Sequence, residues 1–264
     1  MSCKITIPLN VEIERIVEES TLVRTFYFKP SLEPLKAGQF VMLWVRGVDE
    51  VPMGLSGKNS ITVQKVGDAT SRLFELKEGD SFGLRGPFGN GFSLPESGEK
   101  VLVAAGGVGA APLFPYAEAA RKAGAEVQIA LGARSSGDLL FEKRFGELGQ
   151  VYISTDDGSK GTKGFVTDVL KKLDILAFDR IAVCGPELMM FSIFKLLQEK
   201  DVLEKAEFSL HRYFKCGLGI CGACCIDSSG LRVCKDGPVF SGVKLVGSEF
   251  GKYVRDSSGR RIKI

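Results

Sequence analysis

Histidine is nearly absent: His211 is the single imidazole among 264 residues. That excludes a metal site built from several histidines and leaves a Ser-His-Asp hydrolase one position to use. Long apolar runs are missing too. No stretch reaches the roughly 18 residues of a spanning helix, so no membrane partner is expected. The start, MSCKITIPLNVEIERI, lacks the apolar core and small-residue cleavage site of a secretory signal. The expectation is a cytoplasmic protein. Neither sign of charge dominates, since Lys+Arg 35 against Asp+Glu 32 leaves +3. That balance does not call for nucleic acid as a partner. Hydrophobic residues at 44% and charged residues at 25% fit a globular chain. The length suits two domains and a small third.

Cysteine, by contrast, is clustered. Five of the seven, Cys216, Cys221, Cys224, Cys225 and Cys234, lie near the C-terminal end; Cys3 and Cys184 stand apart. An odd, clustered set points to metal or redox chemistry rather than a disulfide framework. The spacing Cys216-x4-Cys221-x2-Cys224 with Cys234 downstream is that of plant-type [2Fe–2S] ligands. Gly217, Gly219 and Gly222 let a tight loop turn its N–H groups toward cluster sulfurs. A structural zinc site with four thiolates is the alternative. Cys225 reads as a small buried side chain, and Cys3 as incidental.

The first 97 residues read as short strands between turn signals. Val11 and Ile13 alternate with glutamates, Phe26-Tyr27-Phe28 ends at Pro30, and Phe40 to Val45 and Ile61 to Gln64 follow glycine-containing turns. This predicts a small antiparallel barrel, six-stranded in type, over 1–97. From 98 to 205 strands and helices alternate. Lys100–Ala105, Val127–Leu131, Val151–Ser154 and Arg180–Cys184 are strand-like; Leu113–Lys122, Phe165–Leu173 and Leu188–Lys200 are helix-like. That pattern predicts a parallel α/β nucleotide-binding domain. Residues 206–264 are too poor in apolar runs to fold alone, so a metal centre would supply their cross-links. The fold class is thus β plus α/β with a small C-terminal [2Fe–2S] domain.

Gly106-Gly107-Val108-Gly109 lies between a predicted strand and helix. Such a loop lets backbone approach a pyrophosphate at the helix start, or simply makes a tight turn. Cys184-Gly185-Pro186 ends a later strand at the same sheet edge, where α/β folds bind ligands. Cys184 is placed at a nicotinamide pocket, with an ordinary strand end as the alternative. Asp156 follows another strand at that edge. A carboxylate there favours NAD(H) by accepting from a ribose hydroxyl, unless it caps a solvated turn.

In this order the barrel, Gly106-Gly107-Val108-Gly109-Ala110-Ala111-Pro112, Cys184-Gly185-Pro186 and the four-cysteine loop resemble a family: the electron-transfer subunit of class 1B dihydroorotate dehydrogenase, in the ferredoxin–NADP reductase superfamily. Cys216-Gly217-Leu218-Gly219-Ile220-Cys221-Gly222-Ala223-Cys224, Val233 to Phe240 and Gly86-Pro87-Phe88-Gly89-Asn90-Gly91-Phe92 carry the likeness. The resemblance implies FAD, one [2Fe–2S] cluster held by Cys216, Cys221, Cys224 and Cys234, and NAD(H). It also implies a partner catalytic subunit carrying FMN, in a heterotetramer of two subunits each. The family's flavin motif, Arg-Pro-x-Ser-Leu/Ile, falls on Val51, Pro52, Met53, Gly54 and Leu55, followed by Ser56; its arginine and first serine are replaced. A second flavin stretch falls on Thr62, Val63, Gln64, Ala69 and Thr70, with its glycine replaced by Ala69. Arg72 or Lys58 is available to replace the lost charge. Nicotinamide exchanges electron pairs and the cluster single electrons, so a flavin belongs between them. No catalytic acid or base is assigned. The second reading is a diaphorase-like subunit of a cytosolic hydrogenase or of an NADH-dependent ferredoxin oxidoreductase. A third, of another class, is a zinc-stabilised interaction module.

Overall fold

The computed structural model describes residues 7–264; Cys3 lies outside them. Six strands come first: β1 Leu9–Ser20, β2 Val23–Lys29, β3 Phe40–Val45, β4 Asp49–Gly57, β5 Ser60–Gln64 and β6 Ser81–Phe88. They close into an antiparallel barrel in the order β1-β2-β5-β4-β3-β6. Two-residue periodicity fills its interior. Val11 and Ile13, Phe26 and Phe28, Val41 and Leu43, and Phe82 and Leu84 all point inward and are buried. Each such burial stabilises by about 1.5–3 kcal/mol relative to exposure. The strands β4 and β6 carry weak sequence signals because Pro52 interrupts one, and Gly83, Gly86 and Pro87 the other. Pairing with β3 nevertheless sets them in place, β4 continuously over Asp49–Gly54 and β6 with one irregularity between Phe40 and Met42. The short helix α1, Asp68–Leu73, plugs the barrel with Leu73.

The second half is a seven-stranded sheet. Its strands are β7 Lys100–Gly106, β8 Glu126–Ala133, β9 Gln150–Thr155, β10 Thr162–Lys163, β11 Arg180–Cys184, β12 Ala206–Ser209 and, beyond the cysteine loop, a last strand at Val239–Ser241. The order is β10-β9-β8-β7-β11-β12 and then that last strand, which alone runs antiparallel to its neighbour. Helices α2 Ala110–Lys122, α3 Glu142–Gly146, α4 Val166–Leu170 and α5 Glu187–Glu199 cover it. In α2 Pro112 sits in the first turn, where its missing N–H costs nothing. The helix closes at Gly124, with Ala125 N–H donating to Ala120 and Gly124 N–H to Arg121. The helix α5 buries Met190, Ile193, Phe194 and Leu197, a stripe of helical spacing, against the sheet.

The sheet does not stop at residue 205. Residues 206–209 and 239–241, which the sequence grouped with the cysteine segment, form its sixth and seventh strands. Between them lie β13 Cys225–Ile226, β14 Leu231–Arg232 and a one-turn helix α6 at Val233–Asp236. The last sheet strand is then β15, and a final hairpin pairs β16 Tyr253–Arg255 with β17 Arg261–Lys263. Phe214, Cys224, Ile226, Val233 and Cys234 share one hydrophobic core with Leu102, Val183 and Met190 of the sheet layer. Among the described residues no helix is long and apolar enough to cross a membrane.

Candidate functional site

Two cavities open where barrel and sheet meet. The first, about 230 Å³, lies against the barrel, with Pro52, Met53 and Gly54 of β4, Thr62 and Gln64 of β5, and Thr70 of α1 in its wall. The second, about 680 Å³, lies over the C-terminal edge of the sheet, with Gly106 to Gly109, Asp156, Gly185 and Pro186. Gln64, Val108, Gly109 and His211 line both, so the two form one cleft.

The sequence-predicted residues divide at this wall. Leu55, Val63 and Ala69 turn their side chains into the barrel core. The Ser56 hydroxyl is buried against that of Ser60. These four shape the cavity from behind. Cys184 likewise stays beneath the edge: it is fully buried beside the Ser209 hydroxyl, and burial pushes its thiol up to about 12. Gly109 explains why. A Cβ there would stand 2.5 Å from the Cys184 carbonyl oxygen, so the glycine loop and the Cys184-Gly185-Pro186 turn can touch only without a side chain. Asp156 is exposed at the rim and its N–H donates to Ala133.

Sequence reasoning passed over Arg134, Asp138, Phe165 and Leu188 at the edge cavity, and His211, Arg212 and Phe214 at the barrel cavity. Arg212 carries the one guanidinium among the described lining residues of the barrel cavity. It is buried and committed, with Nε at 2.7 Å from Glu249 and Nη1 at 2.6 Å from Glu187. Lys58 and Arg72 stand away from the cavity in exposed pairs with Glu33 and Glu75. The apolar and hydroxyl-bearing wall suits a flat heteroaromatic ring with a polar tail. The pyrophosphate cation that the flavin motif supplies elsewhere has no free counterpart in this wall.

The cysteine loop lies against the end of the barrel. Arg85 Nη2 donates to the Cys216 carbonyl at 3.3 Å, and Asn90 Nδ2 donates to Lys235 and Asp236 carbonyls. Phe214 packs on Phe40 at 4.9 Å between centroids, and both line the barrel cavity. Gly217, at φ +70°, passes so close to Met42 that a Cβ would stand 2.7 Å from it. The four cysteines of the loop, Cys216, Cys221, Cys224 and Cys234, lie within residues 216–234. Backbone amides converge on their sulfurs. Leu218 and Ile220 donate to Cys216 Sγ at 3.3 and 3.4 Å, Gly219 to Cys234 Sγ at 3.1 Å, and Cys234 to Cys224 Sγ at 3.4 Å. Burial raises the Cys216 thiol, but the amides outweigh it and bring it down to about 6. Four cysteine sulfurs on one loop, three of them accepting backbone N–H groups, fit a binuclear iron–sulfur centre, which takes two thiolates per iron. Among the described residues no three such donors converge on a single-ion site. Cys225 stays outside the set, its thiol raised by burial.

Barrel, sheet edge and thiol loop together define an oxidoreductase of ferredoxin-reductase architecture with an iron–sulfur segment. Residues 103–194 match the oxidoreductase NAD-binding domain, and residues 211–246 match the iron-sulfur cluster binding domain of dihydroorotate dehydrogenase B. The chain belongs to the family of dihydroorotate dehydrogenase B (NAD(+)) electron transfer subunits. A probable member from Methanocella arvoryzae is 50% identical, over 97% of this chain and 99% of that protein. One from Methanocaldococcus jannaschii is 49% identical, over 97% and 98%. Among solved structures, a NADH-dependent reduced ferredoxin-NADP oxidoreductase superposes with a TM-score of 0.80, at 32% identity and 88% coverage of each chain. The ferredoxin reductase of carbazole 1,9a-dioxygenase, at 20% identity and a TM-score of 0.65 over 76% of this chain and 68% of that one, shares the fold.

Proposed function

We propose that this chain is the electron-transfer half of a two-subunit dihydroorotate dehydrogenase, linking NAD(H) to a partner's substrate site through FAD and a [2Fe–2S] cluster. The observation that carries this reading is contiguity. The two cavities share Gln64, Val108, Gly109 and His211, and Phe214, two residues from Cys216, is in the wall of the first. Nicotinamide, flavin and cluster would therefore sit in series. FAD, when bound, supplies the exchange between hydride and single electrons.

The chain's own residues do the rest. Pro52, Met53, Gly54, Thr62, Gln64 and Thr70 would seat the flavin, with Leu55, Ser56, Val63 and Ala69 packed behind them. Gly106, Gly107, Val108, Gly109, Gly185 and Pro186 would hold NAD(H), with Cys184 backing the turn, and Asp156 would accept from the adenosine ribose. Cys216, Cys221, Cys224 and Cys234 would ligate the cluster. We assign residues 1–97 to flavin binding, 98–205 to NAD(H) and 206–264 to the cluster. The partner would carry FMN, in a heterotetramer of two subunits each. Relatives near 50% identity along the whole chain favour this over a hydrogenase diaphorase or a ferredoxin oxidoreductase.

Anaerobic purification from the native source tests the reading. Flavin and cluster absorption bands, iron and labile sulfide in equal amounts, and a co-purifying FMN subunit are expected. A colourless protein with stoichiometric zinc, or full dihydroorotate oxidation by this chain alone, overturns it.

A further inference from the structure

This inference rests on the electron-transfer reading and concerns a proton. Each hydride exchanged with nicotinamide carries two electrons and one proton. A [2Fe–2S] cluster takes electrons only, one at a time. For every two electrons that leave the flavin cavity toward the cluster, one proton must therefore leave by another route, and it must return when electrons flow back.

The walls of the barrel cavity offer few groups for this task. Thr62, Thr70 and Ser209 bring hydroxyls and Gln64 an amide, none of which titrates near neutral pH. Arg212 stays charged and is tied to Glu187 and Glu249. His211 remains, and it lines both cavities while staying open to solvent. Its backbone is fixed from two sides. Arg212 Nη1 donates to the His211 carbonyl at 2.6 Å, and the preceding Leu210 N–H donates to Pro238 at 2.9 Å. A rigid support of this kind holds a side chain in working position.

We propose that His211 is a catalytic residue that carries the flavin proton between the cleft and solvent. When electrons leave, the N–H bond of the reduced flavin breaks and an imidazole N–H bond forms. The two electrons pass singly to the cluster and on to the partner or another one-electron oxidant, and the imidazolium releases its proton to water. In the direction of NAD⁺ reduction every transfer reverses. Crowding by the surrounding protein lowers the imidazole from its usual value; Glu187 at the start of α5 pulls it back up and the neighbouring Arg212 pushes it further down. An uncharged imidazole has one ring nitrogen free to accept the proton.

Stopped-flow on the holoenzyme separates the halves: NADH reduces the flavin, then ferricyanide withdraws electrons singly. His211→Ala should slow the second half about 100-fold more than the first, within the range of general acid–base catalysis, and added imidazole should restore it. The wild-type flavin midpoint potential plotted against pH should change slope below neutrality, and that of the variant should not. Where the alanine variant sheds flavin, His211→Gln keeps the bulk and serves instead. An unchanged ratio of the two halves, a failure of imidazole to rescue, or superimposable potential curves overturns the proposal. Wild-type holoenzyme that NADH cannot reduce brings down the electron-transfer reading itself, a separate result.

Discussion

At the scale of single residues the cleft is governed by what its glycines omit. Gly109→Ala would drive a methyl group into the Cys184 carbonyl at 2.5 Å. Overpacking of this kind costs about 1–3 kcal/mol. NAD(H) affinity, measured by calorimetric titration of the flavin-loaded protein, should fall by about tenfold or more while flavin content holds. The four cysteines of the loop and the glycine turn stand out in the sequence because thiol spacing and side-chain-free turns are local demands. The burial of Cys184 beneath the edge was not legible, because a sequence does not say which side of a strand end faces the cleft. His211 carried no local motif in the sequence, although its place between β12 and the cysteine loop puts it at the junction. Arg212 was missed because two carboxylates from distant segments, Glu187 and Glu249, define its environment.

At the scale of elements, charge rather than apolar burial fastens the C-terminal hairpin. Asp227, just after β13, accepts from Tyr253 Oη at 2.7 Å, Arg255 Nη2 at 2.6 Å and Arg261 Nη2 at 3.3 Å. The Tyr253 hydroxyl and then the two arginines hold its carboxyl below the usual value. A lowered carboxylate stabilises the fold at pH values above about 3.9, its ordinary pKa, and that share is lost as the pH falls through the lowered folded value. Hydrogen-exchange protection of β16 and β17, corrected for intrinsic rates, should therefore decline in acid. Asp227→Asn should already show the lower protection at pH 6 and little further decline. The barrel strands with alternating apolar residues were readable, as were the helices α2, α4 and α5, whereas the short α1, α3 and α6 were not. The strands β4 and β6 were not, since glycine and proline mask them and pairing with β3 supplies the missing preference.

For the molecule as a whole the two cavities and the thiol loop adjoin one another but are held by different elements. The barrel cavity takes its wall from β4, β5 and α1 and from residues 209–214, whereas Cys234 lies outside that wall, in the thiol loop that leans on Phe40, Met42 and Arg85. Cys234→Ser should accordingly abolish iron, labile sulfide and the visible cluster bands, while flavin stays bound and NADH still reduces a two-electron dye. Elemental analysis and a dye assay check both halves. Loss of dye reduction in a folded variant would show that the sites are not separable in this way. Composition changes near residues 98 and 206, which is what suggests a three-part order. The sharing of one sheet across the second boundary was not visible in the chain, because β12 and β15 are 29 residues apart, and only tertiary pairing makes them neighbours.

That shared sheet decides how the chain can be cut. Ending it at residue 205 would strip away two strands and leave the backbone of β11 as a raw, adhesive margin. The iron-carrying tail is therefore no detachable cassette. A graft that moved it to another reductase would have to bring Ala206–Ser209 and Val239–Ser241 along, and the recipient would need a bare parallel strand to receive them.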